Sequence, residues 1–219
     1  MLALVDRGEP DGSWLRAARQ TGGRGRLGRR WESPEGNLYA STLVRLNEKD
    51  PPPHTLALVA ANATHAVIAP LCSGVARIKW PNDIMVDGAK ISGMLLERSK
   101  NVVVIGIGIN VASHPDHLDR PVTSLFQQGA IDVTAADLFA QLQASFGRWL
   151  KIWRTQGLAP IIAHWRANAH VRGAMLRVTG PDGTEMTGAF ETLDDDGGLI
   201  LRLANGDHHV IHAGDVHQL

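Results

Sequence analysis

A short stretch rich in arginine and glycine is the part of this sequence best suited to bind an anion. Residues 23–31 read G-R-G-R-L-G-R-R-W, with four arginines, three glycines and a closing tryptophan. Guanidinium groups bind carboxylates and phosphates through paired hydrogen bonds, and glycine lets a backbone approach a ligand closely. Because most charge runs are solvated loops, this segment alone leaves both interpretations open.

A second polar cluster, K-W-P-N-D, occupies residues 79–83. Proline interrupts regular strand hydrogen bonding, so Lys79, Asn82 and Asp83 could project into a cleft. Alternatively, Asn82 and Asp83 cap their own turn. Asp87-Gly88 predicts a tight hairpin turn, after which Lys90 either reaches the same cleft or lies at a solvated edge.

The run G-I-G-I-N at residues 106–110 is not a dinucleotide-binding fingerprint. The third glycine is absent, and the run closes a strand instead of opening a helix. It indicates only a strand against which another group packs closely.

The surrounding residues predict an α+β fold that would hold these segments together. Hairpin-type links between successive strands favour a largely antiparallel sheet with helices to one side. Residues 1–9 resemble the end of a helix, and Trp149, Trp153 and Trp165 are expected in the core. The predicted strands are 13–19, 37–46, 77–80, 84–86, 90–97 and 101–111. One helix is predicted from residue 56 and ends at Pro70, with Leu56, Val59, Ala60, Ala63 and Val67 on its buried face. A second starts at a capping box formed by Thr134 and Asp137 and stops at Gly157, and a third covers 160–168.

The sequence changes character after Gly173. Short alternating strands at 175–179, 185–192, 199–203 and 208–212 are separated by turn-forming residues. This pattern predicts a small β-barrel, with domains at residues 1–171 and 172–219.

Bulk composition limits the classes of function. Lys plus Arg and Asp plus Glu each number 22, which argues against a protein devoted to nucleic acid. The single Cys72 cannot form an internal disulfide, no apolar run reaches the length of a membrane span, and no signal peptide opens the chain. A cytoplasmic protein is expected.

The joint order of the motifs is more informative than any one of them. Q-x-x-G-R-G-R-x-G-R-x-W, K-W-P-N-D-I, G-x-K-x-x-G-M-L-x-E and G-I-G-I-N together closely resemble the biotin–protein ligase family, over nearly the whole chain. The resemblance implies a mixed sheet with flanking helices, like the catalytic core of class II aminoacyl-tRNA synthetases, followed by a small SH3-like barrel.

The resemblance also implies a reaction and its residues. Such enzymes use ATP and Mg²⁺ to convert biotin to biotinyl-5′-AMP, then transfer biotin to a lysine of a biotin carboxyl carrier protein. By position, the implied catalytic residues are Arg24, Lys90 and Asp83. Biotin contacts are assigned to Gln20, Arg24, Gly25, Arg26 and Lys90, and ATP contacts to Trp31, Lys79, Asn82 and Asn110.

The sequence departs from the family pattern in two places. Nothing in the sequence supplies the DNA-binding domain of the family's bifunctional members, so a monofunctional enzyme is expected, without DNA or membrane partners, as a monomer or homodimer. The family's Ser/Thr-rich stretch ending in Thr-Asn, which binds the biotin ring, is also missing. We expect either a start codon upstream of Met1 or a truncated form with impaired biotin binding.

Two other functions remain as alternatives. A lipoate–protein ligase shares the acyl-adenylate chemistry, although the arginine-rich loop favours biotin. A non-catalytic nucleic-acid-binding protein would use the same arginines, although zero net charge counts against it. No metal site is expected, because strand alternation sends His208 and His209 to opposite faces.

Overall fold

A six-stranded sheet forms the centre of the larger unit in the computed structural model, which describes residues 1–219. Its strands lie in the order β1-β2-β6-β5-β4-β3, and every neighbouring pair is antiparallel. The only parallel pairing is an isolated bridge between Lys90 and Val122. The strands are β1 Trp14–Ala17, β2 Leu38–Arg45, β3 Ala76–Lys79, β4 Asp83–Val86, β5 Ala89–Ser99 and β6 Val102–Ile109.

Three helices cover one side of this sheet, as expected: α2 Leu56–Ile68, α3 Ala135–Gln156 and α4 Ala159–Asn168. The short α1 Leu2–Val5 lies on the other face, where Val5 packs against Leu43, Val102 and Val104. The five residues predicted to form the inner face of α2 are all buried: Leu56, Val59, Ala60, Ala63 and Val67. Contrary to the sequence expectation, the helical segment Pro53–Leu71 is long and apolar enough to cross a bilayer. However, 67% of its most apolar stretch is buried inside the fold.

Local sequence signals set the ends of α3. The Thr134 hydroxyl accepts a hydrogen bond from the Asp137 amide at 3.2 Å, which satisfies one free donor of the first turn. Gly157, at φ +75°, ends the helix. Trp153 and Trp165 are fully buried, and Trp149 packs 4.5 Å from the His164 ring, so the predicted core role of these tryptophans is confirmed.

The C-terminal segment is an open five-stranded antiparallel sheet in the order β10-β9-β8-β7-β11. No pairing joins its two outer strands, so the hydrogen bonds do not close the expected barrel. The short β11 was absent from the sequence prediction because its four residues, D-V-H-Q, lack a strong apolar alternation. The strands are β7 Met175–Thr179, β8 Glu185–Leu193, β9 Leu199–Arg202, β10 His208–Ile211 and β11 Asp215–Gln218.

One apolar cluster continues from the helices into the C-terminal sheet. Trp165 of α4 meets Phe190 of β8 with ring centroids 6.2 Å apart. The boundary between residues 171 and 172 stays a prediction. Val216 of β11 belongs to the same apolar cluster, so this strand packs against the larger unit. The start of β11 therefore borders the cleft of the larger unit.

Candidate active site

A cavity of about 990 Å³ lies between the large sheet, the loop of residues 23–31 and the start of β11. We call that loop the arginine loop. Every residue predicted for the site borders this cleft except Asn110. The bordering residues are Gln20, Arg24, Gly25, Arg26, Trp31, Lys79, Asn82, Asp83 and Lys90.

Lys90 and Asp83 form an ion pair on the floor of the cleft. Both residues of the predicted turn between β4 and β5, Asp87 and Gly88, have positive φ, as a tight hairpin requires. The turn brings Lys90 Nζ to 2.5 Å from Asp83 Oδ1, and the side chains are 12% and 16% exposed. Burial lowers the pKa of Lys90, while the Asp83 carboxylate opposes that shift.

Lys79 adds a second cation beside this pair. Burial lowers its pKa, Asp83 opposes the shift, and the nearby Arg120 charge adds to it. Two lysines share the neighbourhood of one carboxylate, so this part of the cleft carries excess positive charge. It is suited to a ligand with several negative charges.

Asn82 has a structural role that the sequence did not indicate. It follows the cis Trp80–Pro81 peptide. Its side-chain amide donates to the Met94 carbonyl, and its side-chain oxygen accepts from Arg26 Nη1 at 3.4 Å. Asn82 therefore links the arginine loop to β5.

Trp31 lies on the two facing glycines of β5 and β6. Gly93 and Gly108 are direct partners across these strands. A Cβ atom added at Gly108 would come within 2.7 Å of the indole ring, so only glycine leaves room for it. Lys90 Nζ lies 5.5 Å from the ring centroid, within reach of a cation–π interaction. Gly93 and Gly108 together leave a flat surface on which the indole ring of Trp31 lies.

Asn110 lies on the far side of Trp31, beside a smaller cavity of about 30 Å³ that Trp31 and Lys90 also border. It is buried, and its amide nitrogen donates to the Thr123 carbonyl at 3.0 Å. Trp31 therefore separates Asn110 from the main cleft.

The remaining arginines of the loop make contacts in two directions. Arg24 pairs with Glu97 of β5 at 3.3 Å and is 63% exposed. Arg26 and Arg29 instead reach Asp215 at the start of β11. Sequence reasoning missed Asp215, because no motif surrounds it, and also missed Arg120, His170 and His217, which border the cleft.

No group of three or more His, Cys, Asp or Glu side chains is arranged to hold a metal ion. What the cleft offers is a set of arginine and lysine side chains around a partly buried carboxylate, next to an aromatic ring. Such an arrangement can hold two anionic reactants together and offset their repulsion. This is the chemistry required to join a carboxylate to a phosphate.

Comparison with known proteins supports this interpretation. Residues 8–112 match the model of the biotin/lipoate A/B protein ligase family, and residues 176–217 match the biotin protein ligase C-terminal domain. Biotin–[acetyl-CoA-carboxylase] ligase of Paracoccus denitrificans is 36% identical, over 93% of this chain and 89% of its own. The Mycobacterium tuberculosis enzyme of the same name is 33% identical, over 94% and 79%.

A solved structure is similar in fold over nearly the full length. Biotin protein ligase from Aquifex aeolicus, in complex with biotin and ATP, superposes with a TM-score of 0.86 at 27% identity, covering 96% of this chain and 91% of that chain. The fold, the cleft and the relatives agree: this chain belongs to the biotin protein ligase family.

Proposed function

We propose that this protein activates biotin with ATP and transfers it to a lysine of a biotin carboxyl carrier protein. The observation that carries the proposal is the convergence of the arginine loop, Lys79 and the Lys90–Asp83 pair on one cleft of about 990 Å³. Relatives named as biotin ligases favour this function over lipoate transfer or nucleic-acid binding.

In the first step, a biotin carboxylate oxygen attacks the α-phosphorus of ATP, the bond to the β-phosphate breaks, and pyrophosphate leaves. Both reactants are anions, so positive charge must lower the cost of their approach. We assign that role to Lys90 and Arg24, with Lys79 toward the phosphates. Trp31 offers a stacking surface for the base, and Asn110 lies beyond it in the adjoining cavity.

Gln20 and the Gly25 and Arg26 backbone would contact biotin itself. Gln20 Oε1 accepts a hydrogen bond from Ser33 at 2.8 Å, which orients the Gln20 side chain at the base of the loop. Its amide nitrogen makes no hydrogen bond within the protein and is available to a ligand.

In the second step, the carrier lysine amine attacks the acyl carbon of the adenylate, and AMP leaves with the bonding electrons. The attacking nitrogen must lose a proton. Asp83 is the carboxylate paired with Lys90 in the cleft, and we assign it as the proton acceptor. Lys90 holds that carboxylate in place through the 2.5 Å contact.

Mg²⁺ would enter with ATP. This ion needs only one or two protein carboxylates beside the substrate phosphates. The donor set fits that requirement, because Asp83 Oδ1 is engaged by Lys90 while Oδ2 makes no hydrogen bond. When bound, the ion would neutralise phosphate charge. We expect the reaction to take place in the cytoplasm, where carrier proteins and ATP are both present.

The direct test combines the full chain, MgATP, biotin and a biotin carboxyl carrier domain, and detects biotin on the carrier by mass spectrometry. We expect the carrier to gain one biotinyl group. Parallel reactions with lipoate and a lipoyl domain test the alternative ligase, and salt-dependent retention on DNA tests the nucleic-acid alternative. Labelling of the lipoyl domain alone, or DNA retention without ATP–pyrophosphate exchange, would refute the proposal.

A further inference from the structure

The arginine loop contacts the C-terminal sheet mainly through the carboxylate of Asp215. Arg29 Nη2 donates to Asp215 Oδ1 at 3.1 Å and lies 3.0 Å from Oδ2. Arg26 Nη1 lies 3.5 Å from Asp215 Oδ1 and 3.1 Å from the Gly214 carbonyl oxygen. Two cations of the loop therefore share one anion that belongs to a distant part of the chain.

The local structure on both sides favours this contact. Within the loop, a 3₁₀ turn over Arg26–Gly28 bonds the Arg29 amide to the Arg26 carbonyl at 3.2 Å, and so holds the two guanidinium groups near each other. Leu27 takes φ +56° to complete that turn and is 72% exposed. The turn has no apolar anchor of its own.

Asp215, by contrast, begins a strand that is hydrogen-bonded to a neighbour. It pairs with Thr179 in the register between β11 and β7. The preceding Gly214 packs so closely against that strand that an added Cβ would lie 2.8 Å from Val178 and 2.9 Å from the Thr179 carbonyl. Gly214 thereby lets the chain present both its carbonyl and the Asp215 carboxylate to the loop.

We propose that Asp215 is a positioning residue that holds the arginine loop over the cleft, so that the C-terminal sheet controls the order of the loop. The same Arg26 group also touches Asn82, so the anchor fixes the loop relative to the phosphate side of the cleft. Arg29 is exposed, but the Arg26 and Asp215 side chains are only 23% and 24% exposed. Two charge-assisted contacts to one partly buried carboxylate are strong enough to shift the balance between a closed and an open loop. This inference rests on the proposed function only for its catalytic consequence.

Limited proteolysis measures the order of the loop without any substrate. Trypsin cleaves after arginine, and the loop carries Arg24, Arg26, Arg29 and Arg30. In the Asp215→Asn variant of the full chain we expect cleavage at these sites to be about tenfold faster, because cleavage tracks the population of the open loop. Mass spectrometry of the fragments identifies the sites.

Asp195→Asn is the matched control. Asp195 lies in the same C-terminal segment, is exposed, and the substitution removes the same charge without touching the loop. Its loop cleavage should equal that of the wild type, and Asp215→Glu should recover most of the protection. Equal cleavage of the Asp215→Asn and Asp195→Asn variants would overturn the proposal. If Asp215→Asn fails to fold, Arg29→Gln removes the same ion pair from the loop side and must give the same acceleration at the remaining sites.

The catalytic readout separates positioning from general damage. A loosened loop admits water, whose oxygen attacks the acyl carbon of the adenylate and releases biotin and AMP. In Asp215→Asn, biotin-dependent AMP release without carrier should rise relative to transfer, by about threefold or more. An unchanged ratio together with unchanged proteolysis refutes the anchor. Faster proteolysis with no AMP release in any variant, the wild type included, refutes the proposed function and leaves the anchor supported.

Discussion

The indole ring of Trp31 rests directly on the backbone of Gly108, with no space for a Cβ atom between them. The ring belongs to the arginine loop, whereas the glycine belongs to a central strand of the sheet. Their contact is therefore the point at which a surface loop meets the rigid floor of the cleft.

Replacing Gly108 with alanine should displace Trp31 and weaken ATP binding by about tenfold, because the methyl group would overlap the ring at 2.7 Å and the stacking surface for the base would be lost. Isothermal titration with ATP measures the change. Gly106→Ala is the matched control two residues earlier on the same strand. There an added Cβ meets its nearest neighbour at 3.7 Å, so ATP affinity should stay within about twofold. Equal losses of ATP affinity in both variants would contradict the role of Gly108 in positioning Trp31.

Removing the charge of Lys90 should abolish most adenylate formation. We expect Lys90→Gln to lower biotin-dependent ATP–pyrophosphate exchange by about 10²- to 10³-fold, since a buried cation that stabilises a developing negative charge is lost. Lys151→Gln changes the same charge on the exposed side of α3 and should leave exchange unaltered. Exchange within tenfold of the wild type in Lys90→Gln would exclude a direct role in the first step.

Asp83→Asn should separate the two steps of the reaction. The amide keeps the shape of the side chain but cannot accept a proton, so transfer of preformed biotinyl-adenylate to the carrier should slow by about 10²-fold. Adenylate formation should fall less, because Lys90 keeps its charge and Mg²⁺ keeps its phosphate ligands although both lose the Asp83 carboxylate. Single-turnover assays measure each step separately. Normal rates for both steps would rule out Asp83 as the proton acceptor.

Acidification should destabilise the protein through His170, at the junction with the C-terminal sheet. Burial lowers the pKa of this ring to about 4, the charges of Lys79 and Arg77 add to the shift, and Gln218 opposes it. Between pH 6.5 and 4 the unfolded chain therefore binds the proton more readily than the folded chain. The free energy of unfolding should fall as pH drops through this window, by about 2 kcal/mol from this residue at pH 5.

Urea unfolding at pH 7.5 and pH 5 tests this expectation. The decrease in the free energy of unfolding from pH 7.5 to pH 5 should be smaller in His170→Gln than in the wild type, even if the variant is already less stable at pH 7.5. The exposed His209 offers a control, and His209→Gln should keep the wild-type difference. If the free energy of unfolding decreased by the same amount in all three proteins, His170 would not contribute to the acid sensitivity.

Features governed by neighbours in the sequence were predicted well. The turn at Asp87-Gly88, the helix start at Thr134 and the buried face of α2 all follow from backbone preferences and side-chain periodicity. The composition of the arginine loop likewise indicates an anion-binding role, because guanidinium groups and glycines favour it wherever the loop lies in the fold. Each signal is contained within a few residues.

Relationships between distant segments were not predictable in the same way. Asp215 lies 186 residues from Arg29, and its short strand carries no motif. The expected barrel is an open sheet, because closure depends on how β10 and β11 are placed and not on their composition. Asn110 matched a motif, yet packing put the Trp31 ring between it and the main cleft.

Local patterns and the joint order of the motifs were enough to identify the family, most of the strands and helices, and the types of residue available for chemistry. Which charges meet depended on how distant segments pack: Lys90 with Asp83, Arg24 with Glu97, and Arg26 and Arg29 with Asp215. An ion pair has an energy that depends on distance and burial, and both are set when the sheets and the loop pack together.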